Sequence, residues 1–165
     1  IIILIANDSG ETWKGHHFLY KLVSDLDNKK YEIVSFGMGK PCHKGKDFGF
    51  IQSKENLSLI YSAVDVFIFP STYEPFGKTL FEAASCGVKV VSFKATGTAD
   101  FYDNEEWWYL AQHDNYDSLL QHTLEACNDI NGTFLIDQRE GLLSKFDQSK
   151  IASKYVSLYN KILNR

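Results

Sequence analysis

Residues 64–93, VDVFIFPSTYEPFGKTLFEAASCGVKVVSF, decide the fold of this chain. The stretch opens with VDVFIFP and closes with VKVVSF, two runs that are apolar at nearly every position. Between them, Phe76, Leu80 and Ala83 recur at the spacing of one helix face, and Gly87 follows as a helix-ending residue. Strands that are apolar on both faces and are joined by a helix are typical of a parallel sheet covered by helices. The stretch therefore predicts a strand, a helix and a second, parallel strand.

The same alternation of apolar runs and amphipathic segments continues in both directions. Further strands are predicted from IIILIA, YEIVSFG and WWYLA, and helices are predicted over 15–26, 55–63, 76–86, 99–103 and 116–128. The run DFGFI, residues 47–51, is a candidate for one more strand. From residue 138 onward only helical patterns occur, and the last of them has an apolar arc wide enough to pack on two surfaces. We expect an open, doubly wound parallel α/β sheet with extra C-terminal helices.

Composition and charge exclude several classes of protein. A length of 165 residues with 44% hydrophobic residues suits one globular domain. The net charge of −4 argues against a nucleic-acid partner, because phosphate backbones are bound by clustered Lys and Arg. Cys42, Cys86 and Cys127 have no Cys-x-x-Cys spacing, which favours reduced thiols in the cytosol. The chain starts without Met inside an apparent buried strand, so we expect it to be part of a longer polypeptide.

Polar residues cluster in the loops that follow the predicted strands, at residues 7–15, 70–78 and 94–100. Open parallel sheets bind ligands at this edge, and the first amides of the helix near Gly77 suit a phosphate. Glu74 and Glu82 lie on either side of that helix start, and ionised carboxylates accept hydrogen bonds from hydroxyls. The pattern fits a nucleotide sugar, but it also fits a Glu82–Lys78 ion pair with Glu74 serving only the helix end. The spacing alone leaves both interpretations open.

The segment FIFPSTYEPFGKTLFEAASCGVKVVSFKATGTAD, residues 67–100, resembles the donor-binding half of retaining GT-B glycosyltransferases of the group 1 class. The features that carry the resemblance are a strand ending in Pro-Ser, Glu-x-Phe-Gly, a second Glu eight residues later, Cys-Gly and a Gly-rich loop closed by an acid. Residues 13–15, 49–71 and 151–163 look like the same family, so the resemblance covers nearly the whole chain. It implies the Rossmann-like half of a two-domain enzyme.

The resemblance also implies roles for individual residues. Glu74 is the implied catalytic residue and binds hydroxyls of the transferred sugar. The implied binding residues are Lys14 for the pyrophosphate, Phe50 with Gly49 and Ile51 for the nucleobase, Phe76, Gly77 and Lys78 for the distal phosphate or sugar, Glu82 for the ribose, and Gly97 in the Gly-rich loop.

Two stretches depart from the family pattern. Asn7 and Asp8 stand where a basic residue is common, and Thr96 and Asp100 stand where Gly and Glu are usual. A weaker hold on the pyrophosphate could then be supplemented by Lys94, Lys44 or Lys46.

The five histidines do not predict a catalytic or metal site. His113-Asp114 falls between a strand and a helix, where a surface turn or cap is the simpler explanation. His16 and His17 are adjacent on a helix and point apart, and no cysteine or carboxylate joins them at ligand spacing. GT-B enzymes generally dispense with a divalent metal, so the resemblance implies no cofactor beyond the donor substrate.

The expected function is retaining transfer of a sugar from a nucleoside diphosphate to an acceptor hydroxyl, as in polysaccharide biosynthesis. Residues 1–165 would be a single donor-binding domain, the C-terminal half of the enzyme. An N-terminal domain outside this sequence would bind the saccharide or glycolipid acceptor and make any membrane contact. The implied location is cytoplasmic, with peripheral association at the inner face of the membrane.

A nucleotide-sugar epimerase of the same architecture and a non-catalytic nucleotide-binding module remain alternatives. A glycosidase that uses Glu74 and Glu82 is disfavoured, because nothing apolar is arranged to raise the pKa of one carboxyl group.

Overall fold

The structure is a computed structural model, which describes residues 1–7, 9–95, 97, 107–129 and 136–163. The backbone forms two compact units, residues 1–133 and 134–165. The first unit contains the sheet and the candidate site, and the described residues of the second, 136–163, form two helices and their connection.

A five-stranded parallel sheet forms the centre of the first unit. Its strands are β1 (Ile2–Ala6), β2 (Glu32–Phe36), β3 (Val66–Phe69), β4 (Lys89–Phe93) and β5 (Trp108–Ala111), in the order β2-β1-β3-β4-β5. All four pairings are parallel, as the apolar runs predicted. The chain passes from β1 outward to β2 and then returns to β3 on the other side of β1. The loops that follow β1 and β3 therefore diverge and leave a crevice between them.

The helices lie close to their predicted positions. The first unit has a 3₁₀ helix (Thr12–Lys14) and the helices α1 (His16–Asp25), α2 (Lys54–Ser62), α3 (Lys78–Ser85) and α4 (Tyr116–Asn128). The second unit has α5 (Ile136–Lys145) and α6 (Gln148–Leu163). The short helix predicted over 99–103 lies outside the described residues.

Gly15, at φ 71°, precedes α1 as predicted. Two other predicted boundaries are wrong, each because of a glycine. Gly77 at φ 75° delays α3 until Lys78. The candidate strand at 47–51 is reduced to one bridge, between Ser35 and Asp47, because Gly49 at φ 63° turns the backbone out of the extended conformation.

Side chains of the strands alternate between two apolar layers. Ile3, Ile5 and Val91 pack on one face with side chains of α1 and α4. On the other face, the rings of Phe36, Phe67 and Tyr61 form edge or tilted contacts with centroids 5.7 to 6.1 Å apart. This two-sided burial explains why the strand sequences are apolar at successive positions.

Tyr61 of α2 carries a buried hydroxyl in the aromatic layer. The residue is 1% exposed, and its hydroxyl has no hydrogen-bond partner among the described residues. Because an unpaired buried hydroxyl loses its hydration without compensation, Tyr61→Phe should raise the free energy of unfolding by about 1 kcal/mol. Urea unfolding measures the change. Tyr61→Ala is the comparison variant for the ring itself, whose loss should lower the free energy of unfolding by about 3–5 kcal/mol. A clear loss of stability in Tyr61→Phe would show that the hydroxyl is paired in solution.

The last helix has the predicted apolar arc, but the arc is exposed. Tyr155, Val156 and Tyr159 of α6 are each 56% exposed. The packing on two surfaces that the sequence predicts is therefore not found within the described residues. Within those residues, no helix combines the length and the apolar character that crossing a membrane requires.

Candidate functional site

A cavity of about 580 Å³ opens at the carboxyl ends of β1, β2 and β3, where the strand order predicts a crevice. It is lined by the loop before α1, the end of β2 and the loop before α3. Five of the predicted site residues line it together: Lys14, Glu74, Phe76, Gly77 and Lys78. The cavity is large enough to hold much of a small ligand.

Lys14 is held at the cavity wall by the turn that precedes α1. A Cβ atom on Gly15 would lie 1.9 Å from the carbonyl oxygen of Pro70, so only glycine permits this close approach to the end of β3. The Lys14 ammonium group lies 3.9 Å from the centroid of the Trp13 ring and 5.5 Å from that of Phe69. Such cation–π contacts hold the cation at the cavity while leaving its hydrogen-bond donors available.

Glu74 faces Lys14 across the cavity wall. Its Oε2 lies 3.5 Å from Lys14 Nζ, and the two side chains are 13% and 26% exposed. Its Oε1 accepts a hydrogen bond of 2.9 Å from the Gly77 amide, so the carboxylate also serves the start of α3. Glu74 thus makes the contact with the helix end that the alternative to a nucleotide-sugar site proposed for it. The loose ion pair nevertheless brings a carboxylate and an ammonium group to one ligand-sized space.

The N-terminus of α3 points at the same cavity. Helical hydrogen bonding begins with the Leu80 amide, which donates to the Gly77 carbonyl at 2.9 Å. The amides of Lys78 and Thr79 precede that first donor, and both residues line the cavity. Together with the helix dipole, these amides and the two lysines favour an anion here.

Asn7 and Asp47 form a polar network that sequence reasoning missed. Asp47 Oδ1 accepts hydrogen bonds from Asn7 Nδ2 at 2.9 Å, from Ser35 Oγ at 3.1 Å and from the Gly49 amide at 3.0 Å. Asn7 Nδ2 also donates to the Gly37 carbonyl, and Asn7 is 4% exposed at the cavity wall. Asn7, noted only as a departure from the family pattern, therefore fixes the loop after β2.

The same hydrogen bonds lower the pKa of Asp47 below its ordinary 3.8, with the Asn7 amide contributing most. A depressed pKa in the folded protein adds stability that is fully present above about pH 4 and is lost as pH falls through the folded value. We expect Asp47→Asn to lower the free energy of unfolding by about 1 kcal/mol at pH 7, because charge-assisted hydrogen bonds are the stronger ones.

Urea unfolding of both proteins at pH 7 and at pH 3 checks this prediction, and the gap between them should shrink at pH 3. The comparison with wild type at each pH removes the contribution of Asp25 and Glu55, whose pKa values are also lowered. An equal gap at both pH values would contradict it.

Three predicted residues lie outside the lining of the cavity. Gly97 stands behind Glu74 and donates its amide to the Glu74 carbonyl at 2.9 Å. Phe50 is 61% exposed beside the loop that Asp47 fixes. Glu82 lies on α3 and is partly open to solvent. Its neighbours desolvate the carboxyl group enough to raise its pKa above 4.5, although Lys78 and Lys54 act in the opposite direction.

The structure also locates the remaining candidates. His16, which the sequence analysis considered only as a metal ligand and rejected, is buried and lines the cavity; its position two residues after Lys14 was the available signal. Lys94, Lys44 and Lys46 do not line it. Asp8, Thr96 and Asp100 lie outside the described residues.

A second cavity, of about 740 Å³, lies at the opposite edge of the sheet, beside the starts of β1 and β2. Its lining includes Lys44, which was suggested as a supplementary pyrophosphate contact, but none of the binding residues that the resemblance implies. Among the described residues, no three His, Cys, Asp or Glu side chains are grouped so that they could hold a metal ion. The absence of a metal in the reaction stays a prediction.

The chain is similar in sequence to known proteins. The glycosyl transferases group 1 family matches residues 1–129. The capsular polysaccharide biosynthesis glycosyltransferase CapM of Staphylococcus aureus is 24% identical over 165 residues, covering 91% of this chain and 43% of that protein. The O-antigen chain mannosyltransferase B of Escherichia coli is 33% identical over 75 residues, covering 46% of this chain and 19% of that protein.

Solved structures share the fold. Sucrose-phosphate synthase from Thermosynechococcus elongatus superposes with a TM-score of 0.79 at 22% identity, over 98% of this chain and 45% of that chain. Anabaena Alr3699/HepE, solved in complex with UDP, has a TM-score of 0.77 at 18% identity, over 96% and 48% of the two chains. HepE has also been solved with UDP-glucose.

This chain spans less than half the length of each of these proteins, and its match to the mannosyltransferase is shorter still. The family match covers most of the sequence and includes every element that forms the cavity. The chain therefore belongs to the group 1 glycosyl transferase family.

Proposed function

We propose that this chain binds a nucleoside diphosphate sugar and that the intact protein transfers the sugar to an acceptor hydroxyl with retention of configuration. The observation that carries the proposal is the pairing of Lys14 with Glu74 at 3.5 Å, at the N-terminus of α3 and inside one cavity. A cation and helix amides suit the diphosphate, and a carboxylate suits sugar hydroxyls. Family membership supports the reaction class.

In the proposed complex, the diphosphate lies against the first turn of α3 and draws Lys14 away from Glu74. The ion pair is long enough to exchange partners at little cost. During transfer, the bond between the anomeric carbon and the diphosphate oxygen breaks and its electron pair leaves with the diphosphate. A bond to the acceptor oxygen forms, and the proton of the acceptor hydroxyl passes to the released diphosphate. Lys14 and the amides of α3 stabilise the negative charge on the released nucleoside diphosphate, while Glu74 stabilises the sugar as it gains positive character.

The nucleoside end of the ligand extends beyond the cavity, along α3 towards Glu82. An ionised carboxylate offers both oxygens as acceptors to the ribose hydroxyls, whereas protonation turns one of them into a donor. Because the pKa of Glu82 is raised, the weakening of binding as pH falls should begin at a higher pH than for a contact made by a carboxylate of ordinary pKa. The acceptor, a saccharide or glycolipid, is proposed to bind a part of the intact protein beyond this chain.

Calorimetric titration of UDP, GDP and ADP into the chain tests the proposal. At least one nucleotide should bind, and Lys14→Ala and Glu82→Ala should each weaken it by about tenfold. Lys21→Ala is the control, because Lys21 forms an exposed ion pair with Asp25 on α1. The proposal is overturned where wild type binds none of the three, or where both site variants bind like the control. Transfer by the intact protein should also persist in EDTA, since no metal is proposed.

A further inference from the structure

The loop between β5 and α4 reaches the candidate site through one side chain, His113. Its Nε2 lies 2.8 Å from the carbonyl oxygen of Thr72, two residues before Glu74. A carbonyl oxygen only accepts, so the imidazole must carry its proton on Nε2 to make this bond. His113 lies in an exposed turn, as the sequence suggested, and its ring also connects two loops that are 41 residues apart.

Thr72 also bonds to a third loop, the turn before α1. Its amide donates to the Trp13 carbonyl at 2.9 Å, and its hydroxyl donates to the same oxygen at 3.3 Å. Trp13 precedes Lys14, and its ring lies beneath the Lys14 ammonium group. A continuous hydrogen-bonded path therefore runs from His113 to the backbone next to Lys14, with Glu74 two residues from its midpoint.

The position of His113 is itself fixed by its own loop. Asn115 caps α4 by accepting from the Ser118 amide at 3.0 Å, and its Nδ2 donates to Gln112 Oε1 at 3.1 Å. The Ser118 hydroxyl accepts from the Gln112 amide at 2.9 Å. The His113 ring also lies against buried Phe93, with centroids 6.5 Å apart. The cap holds the backbone on both sides of His113, and the contacts with Thr72 and Phe93 orient its exposed ring.

We propose that His113 is a positioning residue of the donor site. Its Nε2–H anchors Thr72, and with it the loop before α3, to the loop between β5 and α4. Because Thr72 in turn binds the Trp13 carbonyl, this anchor sets the spacing of Glu74 and Lys14. His113 does not line the cavity, so it acts through these two groups. The inference rests on the proposed function, because it assigns His113 to the same donor site.

Two variants separate the hydrogen bond from the volume of the ring. His113→Gln places an amide donor near the position of Nε2, whereas His113→Leu fills similar space without a donor. In titrations of the chain with whichever of UDP, GDP and ADP the wild type binds most tightly, His113→Leu should weaken binding by about five- to tenfold, and His113→Gln should stay within about twofold of wild type. In the intact protein, the Leu variant should raise the KM for the corresponding nucleotide sugar more than it lowers kcat.

Nitrogen-15 NMR of the ligand-free chain gives a readout that does not depend on nucleotide binding. The His113 ring should show the Nε2–H tautomer, and His113→Leu should shift the amide resonances of Thr72 and Lys14 more than His113→Gln does. The Nδ1–H tautomer, or equal affinity of wild type and His113→Leu for the nucleotide that wild type binds, would overturn the role of His113 while leaving the proposed function intact. Failure of wild type to bind UDP, GDP and ADP would overturn both.

Discussion

We expect Glu74→Gln to lower the rate of sugar transfer by the intact protein by about 100- to 1000-fold, the usual cost of losing one preorganised electrostatic contact. In wild type the Gly77 amide donates to Glu74 Oε1 at 2.9 Å. The substitution keeps the size of the side chain and leaves an amide oxygen to accept this bond. It removes the negative charge that would face the sugar as positive character develops. Nucleotide affinity should change by less than about threefold, since the phosphate contacts stay in place. Steady-state kinetics together with calorimetry separate the two effects.

Glu55→Gln is the matched control for this prediction. Glu55 is also a carboxylate at a helix N-terminus, where it accepts from the Ser53 hydroxyl at 2.7 Å, but it lies on α2 outside the cavity. It should leave turnover unchanged. Similar rates in Glu74→Gln and Glu55→Gln would mean that Glu74 only caps α3, which is the alternative that its spacing allowed.

The sequence predicted the sheet well because its signal is local. The apolar runs of β3 and β4 and the helical spacing of α3 are each contained in a few consecutive residues. The family pattern likewise lies within residues 67–100, so Glu74, Phe76, Gly77 and Lys78 could be proposed together before the structure was known. Their common position at the cavity follows from the parallel order of the strands.

The contacts that fix the loops could not be predicted in the same way. Asn7 meets Asp47 across 40 residues of sequence, and His113 meets Thr72 across 41. Neither pair has a periodicity or a spacing that marks it, because each forms only once the strands bring the loops together. His113 was predicted in a surface turn, which the structure shows, and Asp47 was placed in a candidate strand. Neither interpretation contained the contact with a distant loop.

The second large effect is expected for Gly97→Ala, and it follows from backbone geometry. A Cβ atom on Gly97 would lie 1.8 Å from the Pro75 carbonyl oxygen and 2.8 Å from that of Glu74. Both obstacles are main-chain atoms, so the loop that carries Glu74 must move and the 2.9 Å bond from the Gly97 amide to Glu74 must lengthen. We expect nucleotide affinity to fall at least about tenfold, with a loss of about 1–3 kcal/mol in the free energy of unfolding.

Calorimetry and urea unfolding measure both changes in Gly97→Ala, and Gly141→Ala supplies the comparison. A Cβ atom on Gly141, in α5, would meet nothing within 4 Å. That variant should keep full nucleotide affinity and gain up to about 1 kcal/mol from helix propensity. Because the space beside Gly97 admits no Cβ atom, Gly97→Ser should be at least as damaging as Gly97→Ala. Wild-type affinity in Gly97→Ala would show that Glu74 does not depend on this contact for its position at the cavity.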